Sequence, residues 1–126
     1  MEKQLNQVAE FHTAFKVPVE NAPIIPSKER CELRIKLIQE ELNELKQAIA
    51  DNDMIEVMDA LTDIEYVVLG TVLEFGLQDR FVAMFDEVQR SNMSKLDENG
   101  QPIFREDGKV LKSNKFTPPD FSQFLT

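Results

Sequence analysis

The chain has 126 residues, 42% of them apolar, and a net charge of −9. This length fits one domain with a modest core, and so acidic a surface repels nucleic-acid backbones and anionic membranes. No apolar stretch is long enough to span a membrane, and the first residues lack the apolar segment of a signal peptide. Because Cys31 is the lone cysteine and cannot form an internal disulfide, we predict a cytoplasmic protein. From the acidic charge we predict that it has no nucleic-acid or membrane partner.

The helical spacing of apolar residues, together with capping residues, predicts four helices. A segment with three prolines at 17–26 excludes regular helix after the first of them. Ser27 caps the second helix, the cluster from Asp51 to Asp53 caps the third, and Gly76 ends the third. The predicted helices cover about 2–16, 28–50, 54–75 and 78–91.

The character of the chain changes after Asn92. Asn99-Gly100 and Asp107-Gly108 are turn dipeptides that predict a small β-hairpin within 102–112, and an extended tail is predicted from Pro118 onward. We therefore predict an all-α fold. It consists of a bundle of four to five helices at 1–92 and a C-terminal arm at 93–126 that holds the hairpin and packs on the same or a neighbouring subunit.

Acidic residues on the second helix lie among apolar ones. At about 100° per residue, Glu41 falls between Leu37 and Leu45 inside the apolar face, and Glu40 and Glu44 lie at the edge of that face. A carboxylate within a core-facing stripe is costly unless a partner neutralises it. Glu-rich helices often present only a solvated face, but the apolar neighbours of Glu41 favour a bound partner.

The third helix repeats this pattern more strongly. Apolar residues cover most of its circumference, which predicts a buried central helix, while Glu56, Asp59 and Asp63 form one narrow acidic stripe without a basic neighbour on the helix. Two acidic stripes on adjacent helices favour a hard divalent cation such as Mg²⁺, Mn²⁺ or Ca²⁺. A di-iron site is excluded because His12 is the only histidine, and an EF-hand is excluded because Glu56 stands where the loop requires Gly.

These acidic residues resemble a known signature. Glu40-Glu41-Leu-Asn-Glu44 followed by Glu56-Val-Met-Asp59 resembles the EExxE and ExxD motifs of the all-α NTP pyrophosphohydrolase superfamily. That superfamily includes MazG-like proteins, dimeric dUTPases and phosphoribosyl-ATP pyrophosphohydrolase. The resemblance covers about residues 30–95, and the arm that follows matches a narrower MazG-like subgroup.

The resemblance implies a Mg²⁺-dependent enzyme, with Mn²⁺ as a substitute, whose catalytic domain is 1–92. It implies cleavage of a (d)NTP to the (d)NMP and pyrophosphate, in nucleotide-pool house-cleaning, by a homodimer or homotetramer. Glu40 is the expected catalytic residue that orients or deprotonates the attacking water. The implied metal ligands are Glu41, Glu44, Asp59, Asp63 and Glu56.

One position departs from the family pattern. If Asp63 is aligned as the Asp of ExxD, Ala60 stands where the motif has Glu, and either Asp59 or Glu56 takes over. This departure leaves open a non-catalytic helical-bundle protein that binds a metal or a nucleotide in regulation or assembly. Phosphoribosyl-ATP as the substrate is a further alternative, against which the Asn-x-Ser-Lys pattern of the arm argues.

Cationic and amide side chains are candidates for binding the substrate's phosphates. Asn92 and Lys95 resemble the subgroup's Asn-x-Ser-Lys pattern and suit phosphate oxygens. Lys109 and Lys112 lie on the arm, which we expect to close over the triphosphate. Arg34 on the second helix either pairs with acidic residues or contacts phosphate.

Aromatic residues on the first helix are candidates for binding a base. Phe11, His12 and Phe15 lie close together at helical spacing. Aromatic residues with this spacing are more often part of a core, so stacking of Phe11, His12 and Phe15 on a nucleobase is the functional alternative to a packing role.

Overall fold

The computed structural model describes residues 1–125, so Thr126, the last residue of the predicted arm, lies outside the described residues. The described part is all-α apart from a small antiparallel hairpin, in which Ile103 pairs with Leu111. The predicted fold class is thereby confirmed. The elements are α1 (Glu2–Ala14), α2 (Lys28–Ala50), α3 (Met54–Glu74), α4 (Phe81–Met93), β1 (Ile103–Phe104), β2 (Val110–Leu111) and a final 3-10 helix (Ser122–Leu125). No helix within residues 1–125 has the length and apolar character needed to cross a bilayer.

Side-chain caps begin α2 and α3 where the sequence predicts them. The Arg30 amide donates to Ser27 Oγ at 3.3 Å, and the Glu56 amide donates to Asp53 Oδ1 at 3.2 Å. Each bond satisfies an amide that has no partner inside its own helix. Both caps depend on residues within one turn of each other, so local sequence is sufficient to locate them.

Left-handed residues end the first three helices. The φ angle is 67° at Gly76, 58° at Lys16 and 52° at Asn52. After Gly76, the Leu77 amide donates to the Val72 carbonyl at 3.0 Å, which is the bond of a Schellman motif. The predicted end of α3 at Gly76 is confirmed, whereas the same motif at Lys16 ends α1 at Ala14, slightly before the predicted 16.

Two predictions near the C-terminal half need correction. Residues 78–80 form a turn, so α4 begins at Phe81 rather than near 78. The tail predicted to be extended from Pro118 contains a 3-10 helix at Ser122–Leu125. It begins where the Ser122 amide donates to Asp120 Oδ1 at 3.1 Å, a local bond that supplies the first turn.

The chain forms two compact units, Met1–Asp79 and Arg80–Thr126. In the first, α2 packs along α3 and α1 packs on α3. The proline segment at 17–26 packs against the C-terminal end of α3. There the Glu20 amide donates to the Leu73 carbonyl and the Ile24 amide donates to the Phe75 carbonyl, both at 3.0 Å. The apolar core of this unit consists of Leu5, Val8, Ala48, Ala60, Leu69, Val72 and Leu73.

The N-terminal half of α3 is not buried in a single chain. Met58 and Leu61, which the sequence assigns to a buried central helix, are exposed, and so is Ile49 at the end of α2. The prediction of a buried central helix is therefore wrong for Met58 and Leu61, although Ala60 in the same half is buried. The C-terminal half is buried because α1 and the proline segment cover it, and neither of them covers Met58 or Leu61.

The second unit holds α4 and the arm together through polar bonds. Ser91 Oγ donates to the Thr117 carbonyl at 2.9 Å, and Arg90 donates to Glu87 at 2.6 Å and to Thr117 Oγ1 at 2.6 Å. Glu87 also accepts from the Asp120 amide at 2.8 Å. These contacts group α4 with the arm, although the sequence placed most of α4 within the helical domain.

Candidate metal centre

Three carboxylates converge between α2 and α3. Glu41 and Glu44 lie three residues apart on α2 and therefore share a face, and Asp63 approaches them from α3. One oxygen of each residue lies within 4.8 Å of an oxygen of the other two. The fold thus brings together three of the five acidic residues predicted to be metal ligands.

Burial and mutual repulsion raise the pKa of two of these acids. Desolvation raises the pKa of Glu41 to about 7, with further contributions from the hydrogen bond to Glu44 and from the charges of Glu44, Asp63 and Asp59. Burial also raises the pKa of Asp63, and the charges of Asp59 and Glu44 add to the effect. Both shifts mean that the cluster resists carrying its full negative charge without a cation.

Glu41 has an orphan oxygen. Its Oε2 is buried and has no hydrogen-bond partner within residues 1–125. A buried carboxylate oxygen without a donor is costly, and a dication among the three carboxylates would remove this cost together with the repulsion. Because all the converging donors are carboxylate oxygens, the site fits a hard ion such as Mg²⁺ or Mn²⁺.

The other three predicted acids lie outside this group of three oxygens. Asp59 is exposed and lies one turn before Asp63 on α3, and its charge is close enough to raise the pKa of Asp63. Glu40 is exposed on α2 and lines an open groove of about 580 Å³ together with Ile35. Glu56 is exposed in the first turn of α3.

Arg34 is buried in a polar cluster with Glu74. The two residues are 5% and 1% exposed, and Arg34 Nη1 lies 2.9 Å from Glu74 Oε2. Arg34 also donates through Nε to Thr71 Oγ1 at 3.0 Å and through Nη2 to the Val67 carbonyl at 2.7 Å. Of the two predicted roles, pairing with an acidic residue therefore describes the observed geometry of Arg34.

Arg30 completes this cluster. It binds Glu74 with two parallel bonds, from Nε to Oε1 at 2.8 Å and from Nη2 to Oε2 at 2.9 Å. Glu74 is not among the functional residues predicted from the sequence. The available signal was that Glu74 follows Asp63 by eleven residues on one helix, about three turns and so the same face.

His12 lies inside the protein next to Arg34. It is 2% exposed, and Nδ1 donates to the Pro18 carbonyl at 3.0 Å. Gly70 provides the space for both side chains, since a Cβ at Gly70 would lie 2.5 Å from Arg34 Nη2 and 2.8 Å from His12 Nε2. The ring of His12 is therefore not presented on the surface as the predicted base-stacking role requires.

Phe11, in the last turn of α1, and Phe15, directly after it, are in contrast exposed. Their rings are stacked with centroids 4.5 Å apart. Tyr66 of α3 meets Phe11 edge-on at 5.7 Å between centroids. Tyr66 is not among the residues predicted from the sequence, although it follows Asp63 by three residues and thus lies next to it on the helix surface.

The remaining predicted substrate-binding residues belong to the second unit. Lys112 places Nζ 4.7 Å from the centroid of the Phe116 ring, which is a cation–π contact. The Lys109 amide donates to Asp107 Oδ1 at 3.1 Å. Lys95 donates its amide to the Asn92 carbonyl at 3.1 Å in the turn that follows α4.

An all-α fold with carboxylates that converge from two paired helices places this chain among helical-bundle proteins with a candidate site for a divalent cation. A family model described as phosphoribosyl-ATP pyrophosphohydrolase matches residues 8–92. The chain belongs to this family, within the MazG-like NTP pyrophosphohydrolase superfamily. The family consists of pyrophosphohydrolases with nucleotide substrates.

A curated relative is similar over most of the chain. "Uncharacterized protein L479" of Acanthamoeba polyphaga mimivirus is 29% identical over 96 residues, which cover 73% of this chain and 38% of the viral protein. The chain therefore spans well under half the length of that relative.

Proposed function

We propose that this chain is a Mg²⁺-dependent nucleoside triphosphate pyrophosphohydrolase that cleaves a (d)NTP to the (d)NMP and pyrophosphate and so removes unwanted nucleotides. The observation that carries the proposal is the convergence of Glu41, Glu44 and Asp63, together with the buried and unpartnered Oε2 of Glu41. The chain belongs to a family of nucleotide pyrophosphohydrolases, whose substrates carry anionic phosphates. Such phosphates can approach the anionic carboxylates only if cations lie between them, so a cation-binding centre suits a nucleotide substrate.

Each acidic residue has a proposed task. Glu41, Glu44 and Asp63 hold Mg²⁺, for which Mn²⁺ substitutes, and Asp59 or Glu56 extends the ligand set. When bound, Mg²⁺ would offset the charge that develops on the triphosphate oxygens in the transition state. Glu40 orients the attacking water and accepts its proton. The water oxygen bonds to the α-phosphorus, the bond from that phosphorus to the bridging oxygen breaks, and pyrophosphate leaves.

Not every sequence candidate enters this proposal. Arg34 and His12 have no proposed role in substrate binding, because both are buried. Arg34 is paired with Glu74, and His12 is bonded to the Pro18 carbonyl. The phosphate-binding role of Asn92, Lys95, Lys109 and Lys112 stays a prediction from sequence, as does a cytoplasmic location.

We also propose that the enzyme is a homodimer or homotetramer. Ile35, Leu42 and Ile49 are 67%, 49% and 62% exposed and recur every seven residues, so they form one apolar stripe along α2. Met58 and Leu61 expose further apolar surface on the adjacent α3. Exposed apolar residues in such number on a small protein typically mark an interface.

A product assay tests the proposed reaction. The full chain is incubated with Mg²⁺ and a panel of NTPs and dNTPs that includes phosphoribosyl-ATP, and monophosphate, pyrophosphate and orthophosphate are measured separately. We expect pyrophosphate and the monophosphate in equal amounts. Orthophosphate as the sole product contradicts the assigned bond cleavage, whereas metal or nucleotide binding without any turnover favours a regulatory or assembly protein.

The ligand assignment is tested with a matched pair of variants on α2. Glu41→Gln removes the central carboxylate, so we expect activity to fall by at least about a hundredfold, as when a principal electrostatic contact of a transition state is lost. Glu32→Gln makes the same chemical change at an exposed position and should leave activity unchanged. Equal activity in both variants contradicts the proposed metal centre.

A further inference from the structure

We propose that Phe11, Phe15 and Tyr66 form an aromatic platform on which the base of the substrate nucleotide stacks. The proposal rests on the proposed function and deepens it, since it identifies where the substrate's base is bound. The platform binds a purine or a pyrimidine, because stacking on a phenyl face depends on the π-surface of the base rather than on a pattern of hydrogen bonds.

The three rings form one exposed group. Phe11 and Phe15 stack with centroids 4.5 Å apart and an interplanar angle of 30°, and Tyr66 stands at 85° to Phe11. Phe15 is 68% exposed, so a large part of its ring surface is in contact with solvent. An exposed phenyl group is unfavourable in water, and a flat ligand ring is the shape that covers it best.

The platform lies beside the carboxylates. Tyr66 follows Asp63 by three residues and Asp59 by seven on α3, so all three share one side of the helix within about two turns. Phe11 contacts Tyr66 directly and thereby extends this side onto α1. A ligand with a polyanionic end at the carboxylates, bridged by cations, places its other end within reach of these rings.

The rings are held in place before any ligand binds. Phe11 lies in the last turn of α1 and Phe15 is the residue that caps its C-terminal end, and the helix is anchored by the buried Leu5, Val8 and His12. His12 ties the helix to the proline segment through its bond to the Pro18 carbonyl. The backbone that carries Phe11 is therefore already ordered, so its ordering costs no further free energy on binding, which favours affinity.

Binding is measured without turnover by the fluorescence of Tyr66. The chain has one Tyr and no Trp, so intrinsic fluorescence reports on the platform alone. The full chain is titrated with AMP and, in parallel, with ribose 5-phosphate, which has the sugar phosphate but no base. We expect quenching that saturates with AMP and no saturable change with ribose 5-phosphate.

Variants then test the rings themselves. Phe15→Leu keeps an apolar side chain but removes the π-face, so AMP affinity should fall roughly tenfold, as expected for the loss of a base–aromatic stack. Phe85→Leu makes the same change at another exposed phenylalanine, on α4, and should leave AMP affinity at the wild-type value. The same order should hold for KM with an NTP, whereas hydrolysis of inorganic tripolyphosphate should not respond to Phe15→Leu.

The outcomes separate this proposal from the proposed function. No AMP-dependent quenching in the wild-type chain, or equal AMP affinity in Phe15→Leu and the wild type, overturns the platform. A change of oligomeric state in Phe15→Leu with unchanged AMP affinity also overturns it, because the rings then belong to an interface. Base-dependent quenching in a chain that hydrolyses no NTP leaves the platform standing and removes the proposed reaction.

Discussion

Arg30 pairs with Glu74 at the same helix register that sets Glu41 against Asp63. Arg30 precedes Glu41 by eleven residues on α2, and Glu74 follows Asp63 by eleven residues on α3. The two helices run in opposite directions, so the buried ion pair and the carboxylate cluster are two points of one alignment, about three turns apart. A shift of either helix along the other would break the ion pair and would at the same time move the carboxylates apart.

Loss of Glu74 is therefore expected to affect both stability and the metal centre. Glu74→Gln leaves Arg34 buried without its counter-charge, which should lower the free energy of unfolding by about 3 kcal/mol. Glu65→Gln, an exposed position on the same helix, should change it by less than about 0.5 kcal/mol. Urea denaturation of both variants measures the difference, and equal stability would mean that the ion pair does not hold the two helices together.

Gly76 is expected to tolerate no side chain. Its φ is positive, and a Cβ there would lie 2.0 Å from the Ala22 carbonyl oxygen, so Gly76→Ala should destabilise the protein by at least about 4 kcal/mol. Gly100 also has positive φ, but a Cβ there would have no described atom within 4 Å. Gly100→Ala thus isolates the backbone cost of about 1–2 kcal/mol. Similar losses in both variants would show that the contact with the proline segment relaxes easily.

Local signals located the helices, because caps and turns depend on neighbouring residues. Ser27, Asp53 and Gly76 each act within one turn of the helix end that they define. Hydrophobic periodicity was less informative about burial. Met58 and Leu61 have the periodicity of core residues, yet they are exposed in the single chain, because periodicity marks a surface to be covered and does not identify what covers it.

The candidate site was predictable in part for the same reason. An acidic residue inside an apolar stripe is visible in sequence, and it led to Glu41 and to its neighbours on the two helices. The partner of Arg34 was not visible, because choosing between Glu74 and the other acids requires the register of α2 against α3. Tyr66 was missed since its significance depends on a contact with Phe11 of another helix.

The metal-free protein is expected to lose stability as the pH rises from about 4 to about 7. The pKa of Glu41 is raised to about 7 in the folded state, and that of Asp63 is raised as well. The folded state therefore binds more protons than the unfolded state in this window, so stability falls with rising pH and levels off above it. Glu87, whose pKa is lowered to about 2 by Arg90, acts in the opposite direction and only at lower pH.

Thermal melting in a chelator-containing buffer at about pH 5 and about pH 8 measures this dependence. Glu41→Gln should show a smaller fall in melting temperature between the lower and the higher pH than the wild type. Glu32→Gln should show the same fall as the wild type. Added Mg²⁺ should raise the melting temperature of the wild type at the higher pH, because it binds the deprotonated cluster of the folded state. A wild-type protein that becomes more stable across this pH range contradicts the origin assigned to these pKa shifts.

Assembly is expected to depend on one side of α2. Leu42 and Leu33 are both partly exposed and lie nine residues apart, which places them about 180° apart around the helix. Leu42→Lys puts a charge into the apolar stripe with Ile35 and Ile49, so it should dissociate the oligomer at micromolar concentration, because an unpaired charge is costly within an interface. Leu33→Lys adds the same charge on the opposite side and should leave assembly intact. Light scattering coupled to size-exclusion chromatography distinguishes the two. A wild-type protein that is monomeric at every concentration, or a Leu42→Lys variant that assembles normally, removes this stripe as the interface.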